Sequence, residues 1–341
     1  MDVSWNQEAE GIVFGGGGYA GNVLVPKLLA NGWNVTVYDT FWFGDFLPKN
    51  ENLKKIKGDV RDIDKVENSI KGNEFVLHLS CVSNDASFEL DEKISTSINL
   101  ESFEPVVIAA KNQNVKRFVF ASSSSVYGVS EKKDVREDHP LVPLTLYNKY
   151  KGMCEPLLLK HANENFKCVI FRPATVCGYS PRLRLDLSVN ILTNHAINNK
   201  KILVFGGNQM RPNLHIDDYS RVCIDLLKAP DEKIENQIFN VGMQNHTILE
   251  IAEIVRKTIY NLDNSYEIDL EIVKSDDNRS YHINSDKIKN ILGFVPKKTI
   301  QDAVTDLFFA FKKGLIKDSF ENDDFYNVKT IKKLHHKNQI L

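Results

Sequence analysis

The sequence lacks any apolar run long enough to span a bilayer, and its opening segment, residues 1–10, is polar and acidic instead of resembling a signal-peptide core. Those absences argue against membrane insertion and export, and a cytoplasmic protein is expected. It also lacks a C-x-x-C pair. The five cysteines, Cys81, Cys154, Cys168, Cys177 and Cys223, are odd in number and scattered, which argues against a disulfide frame and for reduced thiols. His78, His215 and these cysteines fall at no metal spacing, so no metal site is expected. Charge of one sign is also scarce. The net value is −2, which leaves no dominant attraction to nucleic acid or an anionic membrane. There is no internal repeat or low-complexity tract. At 341 residues, with 42% apolar and 26% charged residues, the chain suits one large α/β domain or two intimate ones.

What is present is a short apolar strand running into glycines: Gly11-Ile12-Val13-Phe14-Gly15-Gly16-Gly17-Gly18-Tyr19-Ala20-Gly21. Gly15 allows a tight turn, Gly18 lets phosphates approach the main chain, and Gly21 lets the next helix pack closely on the strand. That helix, at 23–30, directs free N–H groups and its positive dipole end at the same place. Gly15, Gly17, Gly18, Tyr19, Ala20 and Gly21 are therefore the expected cradle of a dinucleotide diphosphate. A second strand, at 35–38, ends in Asp39, 18 residues beyond Gly21. A carboxylate there accepts the adenosine ribose hydroxyls and repels a 2′-phosphate. No arginine follows within Thr40-Phe41-Trp42-Phe43, so NAD is expected over NADP.

Strand-like runs at 35–38, 53–57, 75–79, 117–121 and 168–171 alternate with helical patterns at 23–30, 63–70, 94–112 and 147–164. The alternation predicts an α/β fold, a Rossmann-type doubly wound parallel sheet, with ligands at the carboxyl ends of its strands. After Phe171 the pattern breaks at Arg172-Pro173. Helices are then expected at 188–198, 217–227 and 249–260, and strands at 202–205 and 266–273. The expected domains are 1–172 for NAD, 173–316 mainly for substrate and interleaved with the sheet, and 317–341 as a tail. The tail is either a docked arm or partly disordered.

Tyr147 and Lys151 stand four apart at the start of a helix and share a face. An adjacent ammonium and a helix N-terminus both favour a phenolate, and moving a phenol pKa from about 10 toward 7 takes on the order of 4 kcal/mol. Alone, such a pair also describes a solvated helix face. The strand at 117–121, however, ends in Ser122-Ser123-Ser124-Ser125-Val126-Tyr127-Gly128, which delivers hydroxyls to the sheet edge where a nicotinamide would lie.

Together these residues resemble an extended short-chain dehydrogenase/reductase of the NAD-dependent epimerase/dehydratase family, most similar to its sugar-nucleotide 4-epimerases. The glycine loop, Gly58-Asp59-Val60, His78-Leu79, the serine stretch and Tyr147-x-x-x-Lys151 follow in the family's order. After them come Arg172-Pro173-Ala174-Thr175-Val176-Cys177-Gly178, Arg211-Pro212-Asn213-Leu214-His215-Ile216-Asp217, Phe239-Asn240-Val241-Gly242 and Arg279-Ser280-Tyr281. The resemblance implies Ser123 as the catalytic serine, Tyr147 as the proton carrier and Lys151 as its activator and ribose ligand. It places Asp59 and Val60 beside the adenine, Leu79 and Ser80 along the cofactor, and Asn99 in the helix next to it. Ser123 and Ser124 would meet the sugar, while Arg211 and Arg279 would grip its diphosphate. Arg182 and Arg184, in the 179–190 stretch, would reach the sugar or phosphate or else belong to an interface.

The family's dehydratases carry an Asp-Glu pair, and its decarboxylases a glutamate, where this chain has Ser124-Ser125. Elimination would then lack its acid/base catalyst. The implied activity is epimerisation of a nucleotide-diphosphate sugar by transient oxidation, at C4, on a retained NAD. Two alternatives stay open: an NAD(P)-dependent keto-sugar-nucleotide reductase or dehydrogenase, and a non-catalytic NAD-binding sensor. The resemblance also implies a homodimer paired through the helices at 94–112 and 147–164.

Overall fold

The computed structural model describes residues 9–83, 85–132, 134–276 and 279–337. The first half supplies strands β1 (Glu10–Phe14), β2 (Asn34–Asp39), β3 (Leu53–Lys57), β4 (Phe75–His78), β5 (Arg117–Ala121) and β6 (Lys167–Pro173). The second supplies β7 (Thr175–Cys177), β8 (Lys201–Phe205), β9 (Met210–His215), β10 (Gln237–Val241), β11 (Gln244–Thr247) and β12 (Asp269–Val273). Seven strands form one parallel sheet in the order β10-β6-β5-β4-β1-β2-β3. Strand order reverses between β1 and β4, and the crevice outside their carboxyl ends is where a doubly wound sheet takes its ligand.

The period of two along each strand sorts side chains into two cores. Val13, Val119, Val169 and Phe171 pack with Leu24, Leu28, Val222 and Leu226 on one face. Ile12, Phe14, Phe118, Phe120 and Ile170 pack with Val66, Val106, Val107 and Leu158 on the other. The expected α/β Rossmann-type sheet is therefore present. A second lobe gathers the helices Ser188–Asn199, Ile248–Leu262 and Ile300–Lys312 around Val189, Ile202, Val204, Ile251 and Val304. It carries the parallel pair β8 and β12 and a three-stranded sheet, β11-β9-β7.

Several elements differ from expectation. The helix expected at 94–112 is three pieces, Glu92–Thr96, a π turn at Ser97–Glu101, and Phe103–Asn112. Pro105 has no N–H to return to Glu101, and the wider turn takes up the shift, with Ser102 N–H reaching back to Ser97 O at 3.1 Å. The helix expected at 147–164 is Leu146–Leu159, and the strand expected at 266–273 begins at Asp269. Strands β7, β9, β10 and β11 were not anticipated, nor were the helices Asp286–Leu292, Ile300–Lys312 and Asn327–His336. In β9 the proline hides the strand: Pro212 lies one residue before pairing with β7 begins at Asn213↔Thr175, so its missing N–H costs that ladder nothing. The tail is docked as far as residue 337, with Leu185 N–H bonded to Phe325 O at 2.9 Å and Ile331 buried; residues 338–341 lie outside the described residues. Among the described residues no helix is long and apolar enough to cross a membrane.

Candidate active site

A cavity of about 580 Å³ opens at the carboxyl ends of β1, β2, β4 and β5, within the size range of ligand pockets. Gly15, Gly18, Tyr19, Ala20 and Gly21 border it. Gly15 has φ +78°, and a Cβ there would stand 2.7 Å from Ser80 N; at Gly21 one would stand 2.2 Å from Gly16 O. Only glycine fits either place: Gly15 makes the tight turn against Ser80, and Gly21 lets the helix pack closely on the loop. Asp39 borders the same cavity, its carboxylate accepting the N–H groups of Gly17 (2.9 Å) and Phe41 (2.8 Å). Burial lifts this carboxyl above its ordinary range, opposed by those two N–H groups and by the Arg182 guanidinium. Gly17 itself does not border the cavity but anchors Asp39. Val60, Leu79 and Ser80 line the wall, as does Asp59, whose carboxylate is held by Arg61 at 2.7 Å. Asn99 stands apart from the cavity. Its amide bonds Val82 N–H at 2.8 Å and Val82 O at 3.0 Å, so it braces the segment after β4 instead of touching the cleft.

Thr145 caps the helix Leu146–Leu159, accepting Asn148 N–H at 3.3 Å. Tyr147 therefore sits in the first turn, bordering the cavity. One turn on, Lys151 donates to Ala121 O at 2.8 Å, at the end of β5. The Ser123 hydroxyl lies 2.7 Å from Ser125 Oγ, which donates to Asn148 Oδ1 at 2.5 Å. Ser124 is buried at the start of the 3-10 turn Ser124–Tyr127 and also reaches the cavity wall. Below them, Arg172 forms a two-pronged pair with Glu155 (2.6 and 2.9 Å) and donates to Tyr127 Oη at 2.6 Å. Ser122 donates to the same Glu155 at 2.6 Å, so the helix Leu146–Leu159 is tied to β6 and to the residue that follows β5.

Arg211 and Arg279 border the cavity from the second lobe. Arg211 is buried, donates to Met210 O at 2.9 Å and to Arg279 O, and lies 5.3 Å from the Tyr281 ring. Arg279 pairs with Asp85 at 2.8 Å. Arg182 and Arg184 are both buried at the cavity wall. Arg184 bonds Asp186 at 2.8 Å and Ser83 Oγ at 3.1 Å.

Residues 12–242 match the NAD dependent epimerase/dehydratase family. The chain belongs to that family. It is 26% identical over 317 residues to a UDP-glucose 4-epimerase of Lactobacillus helveticus, covering 86% of this chain and 94% of that protein. Other relatives of similar identity are a UDP-glucuronic acid decarboxylase of Arabidopsis thaliana and a dTDP-glucose 4,6-dehydratase of Streptomyces niveus. Among solved structures, the Thermotoga maritima UDP-glucose 4-epimerase with UDP-glucose superposes with a TM-score of 0.80 at 23% identity, covering 90% of this chain and 99% of that one. MoeE5 in complex with UDP-glucose and NAD gives 0.77 at 22%, covering 90% and 100%.

This member of the epimerase/dehydratase family is thus an enzyme whose cofactor is NAD, and the cradle fits it. Two features of the geometry add to the sequence reading. The Tyr147 phenol is pushed up by burial, with Cys81 and Asp85 adding to the rise, and the cation that pulls it down is Arg184; Lys151 is committed to the Ala121 carbonyl. Further, an arginine does come near Asp39, from far along the chain: Arg182 lies 3.9 Å over the Phe43 ring. Sequence reasoning also left Ser125 and Asn148 without roles, although the serine run and the asparagine between Tyr147 and Lys151 were in view. His215, which stands at no metal spacing in the sequence, is gathered with Asp217 and Asp306. Hydrogen bonds close that cluster: Asp217 N–H to Nδ1 (3.0 Å), Nε2 to Asp306 (3.1 Å), and Lys27 to Asp217 (2.5 Å).

Proposed function

We propose that this enzyme is an NAD-dependent nucleotide-sugar epimerase that oxidises its sugar transiently at C4 and returns the hydride to the other face. Support comes chiefly from one arrangement: Ser123, Tyr147 and Lys151 meet at the carboxyl end of β5 in the cavity that the glycine loop also borders. NAD, when bound, takes up the hydride and gives it back. Ser123, oriented through Ser125 and Asn148, would align the sugar hydroxyl, and Tyr147, acting as the phenolate that the Arg184 guanidinium favours against burial, would take its proton as the keto-sugar forms and return it afterwards. Lys151 at the Ala121 carbonyl would hold the ribose, and Arg211 with Arg279 would keep the sugar's diphosphate fixed while the sugar turns. The buried Ser124 and Ser125 bring no carboxyl group to the reacting carbon, which weighs against dehydration and decarboxylation. The relatives' UDP-glucose makes a UDP-hexose the first substrate to try.

The test is incubation of purified protein with UDP-, GDP-, CDP- and dTDP-sugars, with products separated by chromatography. Interconversion of C4 epimers without added cofactor is expected, and Tyr147→Phe should lower it by about a thousandfold or more while bound NAD is retained. Turnover only with added NAD(P)H would indicate the keto-sugar-nucleotide reductase instead. Binding without turnover would indicate a sensor.

A further inference from the structure

The segment between β7 and the helix Ser188–Asn199 is welded to the glycine loop. Ser180 Oγ donates to Tyr19 O at 2.8 Å, and Tyr19 Oη donates to Gly178 O at 2.6 Å. From there the segment sends one arginine to each side of the crevice. Arg182 lies over Phe43, beyond β2, and Arg184 bonds Ser83 Oγ, beyond β4. Arg182 and Arg184 are 3% and 7% exposed, yet Arg182 Nε and Arg184 Nη2 are buried with no hydrogen-bond partner. Such an omission is costly for a guanidinium unless a ligand completes it.

The ligand chemistry follows from position. The glycine loop and the helix Gly21–Ala30 offer a diphosphate N–H groups and a dipole end but no cation within the loop itself, and the helix has no acidic residue in its first turn. Asp39 and Tyr147, which would meet the two ends of the dinucleotide, line the same cavity as Phe43, Ser83 and both arginines. One residue of the tail pins the arrangement. Asn327 accepts from Arg182 Nη2 at 2.6 Å, donates its side-chain N–H to Ser83 Oγ at 2.9 Å, and donates its backbone N–H to Asp186 at 3.1 Å.

We propose that residues 179–187 form a strap over the diphosphate of NAD, with Arg184 as its counter-charge and Asn327 as the pin that slows cofactor release. The proposal deepens the retained-cofactor reading above and rests on it. Binding of NAD, ADP-ribose and adenosine, measured by calorimetry on the cofactor-stripped full chain, tests it. Arg184→Gln should weaken NAD and ADP-ribose alike by about 10- to 100-fold while adenosine is unchanged. Arg184→Lys, which keeps the charge but loses the fork, should fall between, and it serves if the glutamine variant folds poorly. Asn327→Ala should speed NAD dissociation in stopped flow by about tenfold. Unchanged NAD and ADP-ribose affinity in the arginine variants, or a loss confined to UDP, would overturn the strap and give Arg184 to the substrate. Failure of the wild-type chain to bind NAD would instead sink the functional reading itself.

Discussion

His78 shows how a single side chain can be both conspicuous and misleading. It ends β4, is 3% exposed, and neither ring nitrogen has a hydrogen-bond partner. The rings of Phe14, Phe103, Phe118 and Phe120 surround it with centroids 5.2 to 6.0 Å away. Burial, with some help from the Lys151 ammonium, depresses its pKa from 6.5 to about 3. The unfolded chain therefore takes a proton at 6.5 that the folded chain refuses until about 3, and stability present above 6.5 is lost as pH falls through that window. Between pH 7 and 5 the loss amounts to about 2 kcal/mol. His78→Leu should match or exceed wild-type stability at pH 7 and lack this part of the acid loss in urea titrations; parallel pH curves would refute the assignment. At this scale the residues that sequence reading grouped on rigid elements, Asp39, Ser123, Tyr147 and Lys151, do border one cavity. Sequence reading failed where a role depends on a partner distant in the chain. Nothing local to Ser125 predicts Asn148, and nothing in Thr40-Phe41-Trp42-Phe43 predicts Arg182.

Between elements, the helix that carries Tyr147 and Lys151 is held by charge in an apolar setting. Glu155, on Leu146–Leu159, receives Arg172 of β6 and Ser122 at the end of β5, and both members of the ion pair are 3% exposed along their side chains. Removing one partner strands the other as a buried charge. Glu155→Leu should cost about 3–5 kcal/mol, and adding Arg172→Met should restore most of that loss. Denaturant unfolding of the two single variants and the double variant measures the coupling, and additive losses would show that the pair does not act as a unit. Strands of the main sheet other than β10 were legible, most of them because burial on both faces writes near-continuous apolar runs. β9 and β11 were not, because Met-Arg-Pro-Asn-Leu-His and Gln-Asn-His-Thr are too polar, and their pairing is fixed only by the second lobe. The capped helix starts Thr247-x-x-Glu250 and Thr299-x-x-Asp302 were readable signals.

Across the whole molecule, the boundary drawn at residue 172 does not separate two folding units. β10 completes the sheet against β6. The helix Ile216–Lys228 covers one face, with Val222, Cys223, Leu226 and Leu227 fully buried in the core that holds Val13, Leu24 and Leu28. Arg117, at the head of β5 and fully buried, donates to Leu226 O at 3.1 Å and Ala229 O at 2.8 Å, satisfying carbonyls at that helix's end, and pairs with Asp231. Exposing four such side chains forfeits about 1.5–3 kcal/mol for each aliphatic one, comparable in sum to the whole stability of a domain, and leaves the Arg117 charge without its acceptors. We therefore predict that residues 1–172 alone, despite carrying the glycine loop and the Ser123, Tyr147 and Lys151 set, neither unfold cooperatively nor hold NAD, whereas the full chain melts in one transition that NAD shifts upward. Calorimetry of both, with and without NAD, decides it. A sharp, NAD-dependent transition in the fragment would mean that the two lobes fold independently and that the interleaving is only topological.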